Sequence, residues 1–368
     1  MRPPNAFQYE NFEIHRSGQS KKLGLEQIVT SLKKCPSCKL LAIIKSSPSP
    51  FLLGLDPLLE NEWKSFMRIV RFLLFLLITP LSFSKDKPLV YAPEIPKPTL
   101  SEIRYGKHER NLLDFWKAES TKPTPLVFVI HGGGWKGGSK ERLSKFADAN
   151  LLLQAGISVV AINYRFVTDL ESPPVKAPLH DAARALQFVR SKAKEWNIDK
   201  NRVGAAGGSA GACTSLWLAF HDDLANPESK DSVERESTRL SCAAVIGAQT
   251  TLDPKQMKEW TPNSKYGGHA FGLRNFTEFL AKRDKIMPWI KEYSPYSNVS
   301  PDDPSVYLIY SKGPALGKEQ KDPTHTSNFG VKLQEHCKSK GVSCELVYPG
   351  APEVSFANPT EFLVSQLK

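Results

Sequence analysis

The alternation of short β-rich apolar runs with helix-like segments constrains this chain more than any other feature. The runs are PLVFVI at 125–130, GISVVAINY at 156–164, NRVGAAG at 201–207, SCAAVIGAQ at 241–249, SVYLIYS at 305–311 and CELVYPG at 344–350. Between them lie SKERLSKFADANLLLQ, PLHDAARALQFVRSKAKEW at 178–196, and helical stretches from Ala210 to about Phe220, from about Ser327 to Ser339 and from about Pro359. Ala182, Leu186, Phe188, Val189 and Ala193 fall near one face of the second segment, the mark of a helix laid on a core. Strands and helices in strict alternation, without internal repeats, specify an α/β class: a mostly parallel sheet with helices on both faces. The stretch 251–300, which contains NSKYGGHAFGL, breaks the rhythm. It is read as a small cap insertion over the carboxyl edge of the sheet, where such sheets place their ligands.

Inside that rhythm stands VGAAGGSAGACTSL, residues 203–216, with Gly207-Gly208-Ser209-Ala210-Gly211 between a strand and a helix. A serine on a strand-to-helix turn takes a strained backbone, and the residues two before and two after it crowd the turn unless they lack side chains. The helix that begins at Ala210 directs its free N–H groups at the serine hydroxyl, which favours negative charge there. A phosphate-binding loop would need a lysine after the glycines, and none follows. The remaining alternative is a tight turn that needed small residues for packing.

A second glycine cluster, His131-Gly132-Gly133-Gly134-Trp135, follows the strand at 125–130. Consecutive glycines let a backbone turn its N–H groups inward, so Gly133 and Gly134, with the N–H of Ala210, form a candidate oxyanion hole. The same stretch fits G-x-G-x-x-G through Gly132, Gly134 and Gly137, but the acidic residue that would mark a dinucleotide site is missing from AINYRF after the next strand.

With HGGGW, HDAARAL and GGSAGA in that order, residues from about 100 to 368 resemble the α/β-hydrolase superfamily, in particular esterases and lipases of the hormone-sensitive-lipase and acetyl or feruloyl esterase kind. The resemblance implies an α/β-hydrolase fold, Ser209 as nucleophile, no cofactor and no metal. It implies that His131 belongs to the loop's scaffolding and Asp181 to a structural helix. It also requires an acid after the next-to-last strand and a histidine after the last. Asp322, in KEQKDPTHTSNFG, is the candidate acid, and Asp253, in TTLDP, is the alternative. The histidine departs from the pattern: after CELVYPG the chain reads APEVSFANPTEF, with no histidine from there to Lys368. His325 and His269 are the candidates to replace it. An unassisted serine is a poor nucleophile, so two readings stand: a carboxylic-ester hydrolase acting on short acyl esters, such as acetyl or feruloyl groups on polysaccharide, or a degenerate hydrolase fold that binds an ester or carbohydrate without turnover.

The net charge of +11 raises the question of nucleic acid. Residues 1–84 hold 11 Lys/Arg against 6 Asp/Glu and so carry +5, which leaves +6 for residues 85–368. With no nucleic-acid motif beside those charges, the surplus is solvated surface. MRIVRFLLFLLITPLSFSKDK, from Met67, has the basic start, apolar run and small residues of a secretory leader. Its apolar run of about 12 residues is short of the roughly 20 that span a bilayer, so no permanent anchor is expected. A leader at 67–84 implies that translation starts at Met67, that residues 1–66 are an upstream extension, that 85–100 is a proline-rich lead-in and that 101–368 is the catalytic domain. Cys35 and Cys38 form half of a metal motif without its partner pair. Cys337 and Cys344 bracket a helix-to-strand turn and are either a disulfide or two thiols. N-terminal sequencing of the native protein is expected to find a mature chain that starts near Lys85; a chain that keeps residues 1–66 would overturn the Met67 start.

Overall fold

Every residue of the strand β3 (Thr124–Ile130) is buried, and its side chains divide by twos. Leu126, Phe128 and Ile130 enter one apolar cluster, while Val127 and Val129 enter another on the opposite face. The same division runs through Val160 and Ile162 against Val159 and Ala161, and through Val306 and Leu308 against Tyr307. A strand buried on both faces needs an unbroken apolar run, which is why these segments stand out in the sequence.

The computed structural model describes residues 89–167 and 171–368. The expectations for residues 1–66, for the leader at 67–84, for Cys35 and Cys38, and for the start of the lead-in at 85–100 lie outside the described residues. The other strands are β1 (Leu100–Arg104), β2 (Leu112–Trp116), β4 (Ser158–Ile162), β5 (Ile198–Gly208), β6 (Cys242–Ile246), β7 (Ser305–Ile309) and β8 (Cys344–Val347). They form one eight-stranded sheet in the order β1-β2-β4-β3-β5-β6-β7-β8. All pairings are parallel except β1 with β2 and β2 with β4. The principal helices are α1 (Ala149–Gln154), α2 (Lys176–Ser191), α3 (Ala210–Phe220), α4 (Pro254–Trp260), α5 (Asn328–Lys340) and α6 (Pro359–Leu367). This is the expected α/β-hydrolase architecture. The chain turns from β3 to one side for β4 and then crosses back to the other side for β5, so a crevice opens at the carboxyl ends of β3 and β5.

Two local expectations change. SKERLSKFADANLLLQ is not one helix: a 3-10 helix at Lys140–Lys145 stops before α1, whose Asp148 side chain accepts the N–H of Leu151 as an N-cap. The region before β3 supplies two further antiparallel strands, β1 and β2. Between β6 and β7 lie α4, a 3-10 turn at Gly268–Phe271 and three short helices, the last ending at Asn298. Among the described residues no helix is long and apolar enough to cross a membrane. Cys213, Cys242, Cys337 and Cys344 are free thiols, those of Cys337 and Cys344 in hydrogen-bond contact.

The polar heart of the fold is Asp181 on α2. Its Oδ2 accepts the Asn111 side-chain amide at 2.7 Å and the Arg165 backbone N–H at 2.8 Å, and its carboxylate pairs with the Arg165 guanidinium at 2.9 Å. One carboxylate thereby ties the entry to β2 to the exit from β4. Replacing it strands a buried amide and a half-buried cation. Asp181→Ala is expected to cost about 3 kcal/mol in urea unfolding; a loss below about 0.5 kcal/mol would contradict this structural role.

Candidate active site

Ser209 sits between the end of β5 and α3 with φ 53° and ψ −119°, a conformation that a side chain rarely adopts. The turn is possible because its neighbours have no side chains. A Cβ on Gly211 would stand 2.1 Å from the Ile130 carbonyl oxygen, and one on Gly207 would stand 2.6 Å from the Gly211 carbonyl. Every residue of α3 is buried, so the helix is fixed in the core and holds the turn from below. The Ser209 N–H donates to Ile246 O at 2.9 Å, which joins the turn to the end of β6.

His325 Nε2 lies 2.9 Å from Ser209 Oγ. His325 Nδ1 lies 2.8 Å from Asp322 Oδ2, while Asp322 Oδ1 accepts the N–H of Thr324 at 3.1 Å and of His325 at 3.2 Å. A carboxylate facing Nδ1 fixes the tautomer: Nδ1 carries the hydrogen and Nε2 presents its lone pair to the serine. Burial pushes the Asp322 carboxyl up, but the hydrogen bond and charge of His325 and the two backbone N–H groups outweigh it and hold the carboxyl below its ordinary value. Asp322 and His325 are three residues apart in the loop after β7, and the loop after β8 adds no side chain to this line.

That loop is anchored from several sides. The buried Gln249 donates to Thr324 O at 2.7 Å, and Ser327 Oγ donates to Lys312 O at 2.7 Å. The fully buried Asn328 amide donates to Trp260 O, Thr261 Oγ1 and Ala315 O. Gly247, at φ 58°, lies against the His325 ring: a Cβ there would be 3.5 Å from His325 Cβ and Cδ2. Composition and spacing carry no sign of Gln249, because it acts through a hydrogen bond between two loops; its nearness to the end of β6 was the available signal.

The glycine loop after β3 is held by the residues around it. The indole of buried Trp135 donates to Thr214 Oγ1 on α3 at 3.0 Å, and Tyr164 donates to His131 O at 2.7 Å. Gly133 and Gly134 have φ of 119° and 63°, which only glycine adopts at ease. The Gly133 carbonyl accepts from Lys136 N, and the Gly134 carbonyl accepts from His269 Nε2 at 3.0 Å. Among the described residues none accepts a hydrogen bond from the N–H of Gly133, Gly134 or Ala210. Gly133 lines a cavity of about 400 Å³ together with Ser209, Asp322 and His325. Gly134 lies against Tyr266 and His269.

The other candidates are elsewhere engaged. Asp253 caps α4 through the Lys255 N–H and pairs with Arg283 at 2.7 Å. His269 holds the glycine loop, and His131 is buried, stacked on Tyr164 and bonded to Gly132 O at 2.8 Å. Among the described residues no cluster of three or more His, Cys, Asp or Glu is arranged to hold a metal ion.

The BD-FAE family model matches residues 113–316, over half of the 368 residues, and so covers both glycine motifs and the strands that carry them. The chain belongs to the BD-FAE family. It is thereby a member of the α/β-hydrolase superfamily of esterases and lipases. It is 26% identical over 255 residues to the probable carboxylic ester hydrolase LipM of Mycobacterium tuberculosis, covering 67% of this chain and 54% of that one. It is 29% identical over 255 residues to the versiconal hemiacetal acetate esterase of Dothistroma septosporum, covering 65% of this chain and 68% of that one. The chain thus spans about half the length of LipM and 36% of esterase LipC from the same organism. In fold it is similar to a truncated carbohydrate esterase from gut microbiota (TM-score 0.55, 17% identity, 70% of this chain and 90% of that one). It is also similar to Thermogutta terrifontis esterase 2 (TM-score 0.51, 22% identity, 69% of this chain and 84% of that one).

A buried and a half-buried histidine near the site, His131 and His269, give a test by acid. Burial pushes the His131 imidazole down to about 3, and burial with the nearby Lys136 charge pushes His269 down to about 4. In the unfolded chain both take a proton near pH 6.5. The unfolded state therefore binds more protons below pH 6.5, and stability falls as the pH drops from there toward 4, by about 1 kcal/mol per pH unit for each group. His269→Gln is expected to reduce that slope by about one group's share in urea unfolding at several pH values. An unchanged slope would show that His269 is not held neutral by the fold.

Proposed function

We propose that this chain is a serine carboxylic-ester hydrolase acting on short acyl esters, including acyl groups carried on saccharides. The observation that carries this reading is the unbroken hydrogen-bonded line from Ser209 through His325 to Asp322. His325 Nε2 takes the hydroxyl proton as Ser209 Oγ attacks the acyl carbon. Asp322 holds the ring in orientation and stabilises the imidazolium that forms. The negative charge that develops on the carbonyl oxygen meets the N–H groups of Gly133 and Ala210, with Gly134 next in the same turn. The imidazolium then protonates the leaving alcohol as the ester C–O bond breaks, and a water activated by the same nitrogen releases the acid from Ser209.

A short acyl group suits a cavity of about 400 Å³, and an acetate ester is the substrate in the name of the Dothistroma relative. The reading of a binding protein without turnover rested on a missing base, and His325 removes that motive. Export, from the leader-like segment at Met67, remains part of the proposal.

Hydrolysis of 4-nitrophenyl acetate by the full chain tests the reading. Ser209→Ala and His325→Ala are each expected to lower kcat about 10⁴-fold or more, and Asp322→Asn by a smaller but large factor. Wild-type turnover no faster than that of Ser209→Ala would overturn it. Loss with Ser209→Ala but not with His325→Ala would remove His325 as the base.

A further inference from the structure

The cavity at Ser209 has a positively charged wall that ester cleavage itself does not need. Arg142 and Lys145 both line it. They belong to the 3-10 helix Lys140–Lys145, and in a 3-10 helix residues three apart lie one above the other, so this spacing puts both cations on one side. Phe146, which follows, packs on the nucleophile's turn: a Cβ on Gly208 would be 2.4 Å from its ring. The end of the helix is thereby fixed beside Ser209.

The third cation of this helix is fully neutralised. Lys140 contacts Glu102, and it lies 2.9 Å from Asp114 and 2.9 Å from Glu141. Arg142 and Lys145 are exposed, and among the described residues neither forms an ion pair or donates a side-chain hydrogen bond. Asp322 is the carboxylate that lines the cavity, and its two oxygens are engaged by His325 and the loop N–H groups. Two positive charges therefore face the space where substrate binds, against the one carboxylate of Asp322, whose oxygens are already engaged.

We propose that Arg142 and Lys145 select esters of acidic saccharides, in which the sugar that bears the acyl group also carries a carboxylate or a sulfate. The proposal rests on Ser209 as the ester-cleaving residue. A guanidinium offers paired N–H donors to a planar carboxylate or to two sulfate oxygens, and an ammonium three residues on adds a point charge. Because both cations are exposed, their pull is to be strong at low ionic strength and screened by salt.

The test compares kcat/KM for three singly acetylated methyl glycosides: the glucoside, the glucuronoside and the 6-sulfoglucoside. At low salt the wild type is expected to prefer at least one charged ester about tenfold over the neutral one. That ratio is expected to fall toward one in the Arg142→Gln/Lys145→Gln protein and at about 0.5 M salt. The ratio is taken on a single protein, so general damage to the fold cancels. The two charged esters separate a carboxylate from a sulfate as the recognised anion. Equal efficiency on all three esters, or a preference that survives the double substitution, would overturn the proposal while leaving ester hydrolysis intact. Calorimetric titration of the Ser209→Ala protein with the same glycosides separates the two failures. Tighter binding of a charged glycoside with no turnover by the wild type would overturn the hydrolase reading and keep anion selection; binding without preference would remove it.

Discussion

The approach of Gly211 to the end of β3 governs everything built above the sheet. Its Cα comes so near the Ile130 carbonyl that no side chain fits, and Gly207 meets the same helix from the strand side. This contact lets α3 start directly under the carboxyl edge, which lifts Ser209 into the crevice and leaves the first N–H groups of the helix beside it. The glycine loop after β3 depends on the same contact, because Trp135 ties that loop to α3 through Thr214, which itself donates to Ala210 O at 2.9 Å. Ser209 and the glycine loop, the proposed nucleophile and oxyanion donors, are thus parts of one joint between β3, β5 and α3.

His325, the proposed base, reaches that joint from two strands away. β6 and β7 stand between β5 and the last strand, and the loop after β7 folds back over Gly247 to place His325 against Ser209. A Cβ on Gly247 would only touch the imidazole, so it is the positive φ just past the end of β6 that calls for glycine there. Gln249 and Asn328 then hold the loop on either side of His325 by hydrogen bonds from buried amides, where a lost partner is costly.

Much of this was legible in the chain. The parallel strands could be read because burial on both faces leaves an unbroken apolar run, and the elbow because a strained serine demands glycines at fixed offsets. The strands β1 and β2 were not legible. LSEIR at 100–104 is a mostly exposed edge, and LLDFW at 112–116 carries a buried aspartate whose partners, among them Lys140 of the 3-10 helix, lie far off in sequence. Asp322 could be named as the candidate acid, with Asp253 as the alternative, from its place after β7. The base could be named only as a candidate, because the resemblance directs attention to the loop after β8, whereas the contact of His325 with Ser209 joins residues 116 apart in sequence. Nothing local marks such a contact, although DPTH has a carboxylate and an imidazole at a spacing that one turn of backbone can bring together.

That spacing has a consequence for how the proposed relay holds its shape. Where acid and base are carried by two strands, their distance depends on the register of the sheet and on two independent loops. Here Asp322, Pro323, Thr324 and His325 are consecutive, and the Asp322 carboxylate also accepts the N–H groups of Thr324 and His325. The distance from carboxylate to imidazole is therefore set by covalent connectivity and a local turn. The pair is thus held as one local unit, and no residue from Pro349 to Asn358 takes part in the line from Ser209 to Asp322.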